Sequence, residues 1–250
     1  MAYDIDVFVS VLGQREKEVG TPAMQKTLAM ADRLAADALA PAVRHRLVEQ
    51  TAVLTYFQKA TTIRLIPYAP LALVGFDLTA LVELPRLLAL AHEVGHHVYR
   101  QFPVNDASEP KAAPAEALSA APKWPEWLNA WEEEVFADVY GVLIAGPAAV
   151  LAMQAMVMAN LPARLTVDDG DHPAPILRPA LMSAVLHEMA RRRSDPLRTQ
   201  LERTADVLDK RWNSYLASIN APAMFRPKHA RARCNLQKPA RSSPSGLRRS

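Results

Sequence analysis

The sequence predicts an α+β protein that is mainly α. Half of its 250 residues are hydrophobic, yet only 6% are aromatic. Apolar residues such as Leu28, Met30, Leu34 and Leu39 fall among charged ones at helical spacing. One stretch, residues 61–78, changes character into short apolar runs bounded by prolines, as strands do. The length allows one large domain or two small ones with a sizeable core.

In chain order, residues 22–40 and 41–58 read as two helices divided at Ala40-Pro41, within an N-terminal helical segment covering 1–60. Ile63, Leu65 and the run from Leu71 to Phe76 predict one or two strands. Pro85 suits the first turn of a helix that reaches about Arg100. Residues 103–125, rich in Pro, Ala and Ser, predict a long mobile surface loop. Trp124-Pro125 opens a helix from about Glu126 through Gly141, which breaks at Gly146-Pro147 and resumes to Asn160. After a polar loop at 164–175, helices follow at about 176–193 and 196–218. The main domain is thus expected over 61–220, with a basic disordered tail at 221–250.

The formal charge of +3 is unevenly spread. The last thirty residues hold eight Lys or Arg and no acid, which leaves the first 220 at −5. The tail has almost no aromatic residues for base stacking, so no specific nucleic-acid partner is expected. A single cysteine, Cys234, excludes an internal disulfide framework and a multi-cysteine zinc site. Acids near the start argue against a signal peptide, and the expected location is cytoplasmic. Residues 142–161 are apolar and long enough to span a bilayer. The Gly146-Pro147 break, Gln154 and Asn160 favour a buried core helix over membrane attachment there.

The chemistry concentrates in "LLALAHEVGHHVYRQF", residues 87–102. Buried imidazoles and carboxylates cost free energy unless paired, so an apolar helix has no ordinary use for His92, Glu93, His96 and His97. His92-Glu93-Val94-Gly95-His96 is an H-E-x-x-H pattern, which puts two imidazoles one turn apart on one face, able to grip Zn2+. Glu93 falls on the adjoining face, suited to hold and deprotonate a zinc-bound water, the chemistry of amide hydrolysis. His97 points elsewhere and reads as a satisfied or surface histidine.

A catalytic zinc site calls for a third protein ligand. A metzincin would need Gly at 99 and His at 102, where this chain has Tyr99 and Phe102. "WEEEVFADVYG" offers a carboxylate instead. Glu134 and Asp138 are four apart, and the same face continues through the small residues Gly141 and Ala145, which would let two helices approach closely. Glu132 and Glu133 lack an acidic partner at i+4, so Glu134 is the preferred ligand. Asp138 would accept the free ring N–H of a ligating histidine.

This combination resembles the gluzincin metallopeptidases, of which thermolysin is the familiar member, over roughly residues 70–180. The finer pattern, "HEVGHH" with "EEVFAD", is similar to the CAAX-protease and HtpX-like peptidases and to the ImmA/IrrE-like peptidases that act on repressors. The resemblance implies a zincin-like helical domain with a small sheet. It assigns His92, His96 and Glu134 to zinc, Glu93 as the base, and Asp138 as the support of the first histidine. In "DHPAPILR", His172 and Arg178 match a His-Pro and a later Arg of the HtpX-like group, and either would stabilise the oxyanion.

The expected activity is zinc-dependent hydrolysis of a peptide or protein substrate, lying extended along the edge of the sheet. The alternative is a non-catalytic zinc-binding interaction protein that retains the peptidase fold. Asp168, Asp169 and Asp171 lack EF-hand spacing and read as a solvated turn.

Overall fold

A computed structural model describes residues 2–59, 62–66, 71–101, 130–167, 169–170 and 172–225. The loop expected at 103–125, the helix start at Trp124-Pro125, and the tail beyond 225 with Cys234 lie outside the described residues, as do Asp168 and Asp171.

The chain is α+β and mainly α. Helices α1 (Ala2–Gly13) and α2 (Pro22–Arg44) precede strands β1 (Ala52–Gln58), β2 (Thr62–Ile66) and β3 (Leu71–Asp77). A 3-10 turn at Leu84–Leu88, with Pro85 in its first positions, leads into α3 (Ala89–Gln101). Among the described residues four α-helices follow: α4 (Glu132–Ala145), α5 (Pro147–Met158), α6 (Arg178–Arg191) and α7 (Leu197–Ser218).

The three strands form one sheet in the order β1-β3-β2, with β1 parallel and β2 antiparallel to the central β3. Side chains alternate across the sheet. Val53, Phe57, Ala72, Val74 and Phe76 join the core beneath α2 and α3. Tyr56 and Leu73 pack with Val11 of α1 on the opposite side.

Two expectations for the N-terminal segment are overturned. Helix α2 does not break at Ala40-Pro41 but continues through Pro41 to Arg44. Ala38, Leu39 and Ala42 are all buried on one face, and the helix ends one turn later. Packing of that face offsets the local penalty of an interior proline. Residues 52–58 are strand rather than helix. Thr55, Tyr56 and Phe57 are strand-favouring types, and the main-chain N–H and hydroxyl of Thr55 both donate to Asp32 of α2, at 2.6 and 2.7 Å. Arg15 closes the arrangement by donating to both Asp32 oxygens and to the Thr55 carbonyl. Helix α2 and β1 therefore share one hydrophobic cluster with β3 and α3.

A second cluster, around Val150, Leu165, Ile176, Leu186, Leu208 and Trp212, joins α5, α6 and α7. Helix α4 belongs to both: Tyr140 faces the first and Val142 the second. The Tyr140 hydroxyl donates to the Ala38 carbonyl at 2.7 Å, fastening α4 to α2. Gly146 takes φ 58°, a backbone favourable to glycine, and so redirects the chain between α4 and α5. Among the described residues no helix is long and apolar enough to cross a membrane.

Candidate metal centre

Helices α3 and α4 cross closely, and the crossing builds the site. A Cβ added at Gly95 would lie 2.8 Å from the Ala137 Cα, closer than real packing permits. Gly141, expected to provide the close approach, faces His92 at 3.6–3.7 Å, an ordinary contact distance. The glycine inside the H-E-x-x-H pattern, not the one on α4, sets the helix separation.

At this crossing His92, His96 and Glu134 converge. The two Nε2 atoms are 3.1 Å apart. His96 Nε2 lies 3.3 Å from Glu134 Oε1, and His92 Nε2 lies 3.5 Å from Oε2. Donors bound tetrahedrally at zinc–ligand distances of 2.0–2.2 Å stand about 3.4 Å from one another. The three spacings, those to Glu134 each taken to its nearer oxygen, lie close to that figure.

The outer ring nitrogens face carboxylates. His92 Nδ1 is 3.1 Å from Asp138 Oδ1, a charge contact lacking the geometry of a formed hydrogen bond. His96 Nδ1 donates to Glu133 Oε1 at 2.8 Å, since a carboxylate oxygen only accepts. Both carboxylates favour the tautomer with its proton outside. In a neutral ring the inner Nε2 is then a lone pair turned toward the other ring and a carboxylate, and in a protonated one its proton stands where a cation would bind. Glu134 Oε2 is buried without a hydrogen-bond donor among the described residues. Such a donor set suits a cation.

The charges reinforce one another. Burial works against protonation of His92, but Asp138 and Glu134 outweigh it and raise its pKa to about 9. Burial opposes the charge of Glu134, yet the two histidines hold its carboxyl well below the usual range. Asp138, fully buried, is likewise kept ionised against burial by Arg178 and His92. Glu93 is buried beside the cluster, and desolvation pushes its carboxyl up.

Arg178, the first residue of α6, donates Nε and Nη2 to the two oxygens of Asp138 at 2.8 and 2.7 Å. Its Nη2 is also 3.5 Å from Glu134 Oε2. Through Nε and Nη2 the guanidinium supports carboxylates, a task beside the oxyanion role anticipated for it. His172 comes to the other side, with Nε2 3.4 Å from Glu134 Oε1 and half of its side chain exposed. Its Nδ1 is 3.0 Å from Asp169 Oδ2, and Asp169 Oδ1 accepts the His172 main-chain N–H. Asp169 is therefore part of a His172 contact rather than merely a solvated turn residue.

Glu133 and Arg100 were missed by the sequence reading. Glu133 has no acid at i+4, and its partners, His96 and Arg100, lie on another helix instead. The available signal was Arg100 four residues beyond His96. His97 departs from expectation as well. It is buried, has no hydrogen-bond partner among the described residues, and desolvation lowers its pKa.

Compared with protein-family models, curated proteins and solved structures, the chain matches none.

Proposed function

We propose that the protein is a zinc-dependent metallopeptidase, in which His92, His96 and Glu134 hold the ion and Glu93 is the general base. The observation that carries this reading is the convergence of two Nε2 atoms and a carboxylate at 3.1–3.5 Å, with a buried glutamate adjoining them. Zn2+ bound there would polarise a carbonyl and make water a competent nucleophile at neutral pH.

The protein's own residues divide the remaining work. Glu93, its carboxyl pushed up by desolvation, is a stronger proton acceptor than a solvated glutamate. It takes a proton from the attacking water and passes it to the leaving amine. His172 has an acidic partner at Nδ1, so a doubly protonated ring would present Nε2–H to the developing oxyanion. Arg178 orients the site through Asp138 instead of meeting the substrate.

The test is Glu93→Gln assayed on an unstructured protein substrate, with zinc content measured in parallel. Retained zinc with hydrolysis reduced by several orders of magnitude supports the assignment. A variant that cleaves as the wild type does removes Glu93 from the mechanism.

A further inference from the structure

Glu133 and Arg100 form a group outside the proposed reaction. Glu133 is next to the ligand Glu134 on α4, and successive helix residues diverge by about 100°. The two carboxylates accordingly reach different atoms of one ring: Glu134 meets His96 Nε2 at 3.3 Å, and Glu133 meets Nδ1 at 2.8 Å. The same Glu133 oxygen accepts from Arg100 Nε at 2.7 Å. Arg100 follows His96 by four residues, hence on the same face of α3. One helix thereby supplies both the histidine and the cation that restrains the histidine's carboxylate.

His92 has a corresponding pair, Asp138 and Arg178, but the settings differ. The Asp138 side chain is fully buried and Arg178 is 12% exposed, whereas Glu133 and Arg100 are 31% and 44% exposed. The His92 arm is held in the interior, and the His96 arm is held at the rim.

We infer that Glu133 is a positioning residue for His96, fixing the ring proton on Nδ1 so that Nε2 offers its lone pair inward, and that Arg100 holds Glu133 in place. Without Glu133 the carboxylate left beside the ring is Glu134, 3.3 Å from Nε2, which draws the proton to the very nitrogen whose lone pair a metal needs. A simple surface pair between Arg100 and Glu133 would leave the ring's tautomer unchanged.

The inference rests on the metal-centre reading for its zinc readout only, because ring protonation can be measured without metal. Long-range 1H–15N NMR of the imidazoles in metal-free full-length protein gives the tautomer. Competition against a chelator gives zinc affinity. In wild type, the His96 proton is expected on Nδ1. In Glu133→Ala it should move toward Nε2, where Glu134 still stands 3.3 Å away, with zinc affinity reduced about 10–100-fold. Glu133→Gln, whose amide oxygen still accepts, should retain the wild-type tautomer. Arg100→Ala should show the Glu133→Ala change in smaller degree, and a wild-type spectrum there would remove Arg100 from the assignment. An unchanged His96 tautomer in Glu133→Ala overturns the inference. Failure of the wild type to bind zinc would instead defeat the metal-centre reading, with the tautomer still deciding the role of Glu133.

Discussion

Gly95 of α3 passes so close to Ala137 of α4 that a methyl group on Gly95 would stand 2.8 Å from the Ala137 Cα. The obstacle is backbone, which cannot turn aside as a side chain would. Gly95→Ala should therefore destabilise the protein by about 1–3 kcal/mol despite alanine's better helix propensity. It should also weaken the proposed zinc site, since forcing α3 from α4 moves both histidines away from Glu134. Gly141→Ala makes the instructive contrast. Its methyl finds 3.6–3.7 Å to His92, so the change should be neutral or stabilising by up to about 1 kcal/mol. Urea unfolding of the two metal-free variants checks this, and equal losses would contradict the crossing geometry.

Arg178 distinguishes support from catalysis. Replacing it by Met would leave the buried Asp138 carboxylate without its bidentate partner, a loss of about 3–5 kcal/mol for a broken buried pair. The metal-free protein should already show this loss in denaturant unfolding. An oxyanion donor would behave otherwise, lowering the rate of hydrolysis while stability stayed at the wild-type level.

His97 carries two buried ring nitrogens with no hydrogen-bond partner among the described residues. Substituting apolar atoms of similar volume should recover their desolvation cost. His97→Leu is expected to stabilise the protein by about 1 kcal/mol or more, measured by thermal unfolding without metal. A destabilised variant would mean that the ring is paired.

Alkaline pH probes the fastening of α4 to α2. Burial pushes the Tyr140 phenol up to about 12 from its ordinary 10. The unfolded chain thus loses this proton first as pH rises. The associated stability is complete below pH 10 and is lost as the pH climbs through 12. Stability between pH 9 and 12 should fall less steeply in Tyr140→Phe than in wild type. The variant should also be weaker by about 1 kcal/mol at neutral pH, for want of the bond to the Ala38 carbonyl. Parallel pH curves would contradict the assignment.

The pairs that converge at the crossing were legible where spacing alone decides geometry. His92 with His96, and Glu134 with Asp138, each lie four apart, and an α-helix leaves such residues no choice of face. The strands at 62–66 and 71–77 were also legible from their proline-bounded apolar runs. Strand β1 was not, because seven residues of mixed burial carry no period that separates helix from strand; its Thr55 is tied to Asp32, 23 positions earlier. Pro41 breaks an isolated helix, but here Ala38, Leu39 and Ala42 pack against a core that sequence does not display. Glu133 and Arg178 found their partners across 37 and 40 residues, and no local pattern specifies such meetings.

In the proposed centre two Nε2 atoms and the Glu134 carboxylate hold one zinc ion. Elemental mass spectrometry of purified wild type beside Glu134→Ala, after reconstitution and removal of free metal, tests it most directly. One zinc per wild-type chain is expected, with a sharp reduction in the variant. No zinc in the wild type, or equal zinc in both, would contradict it.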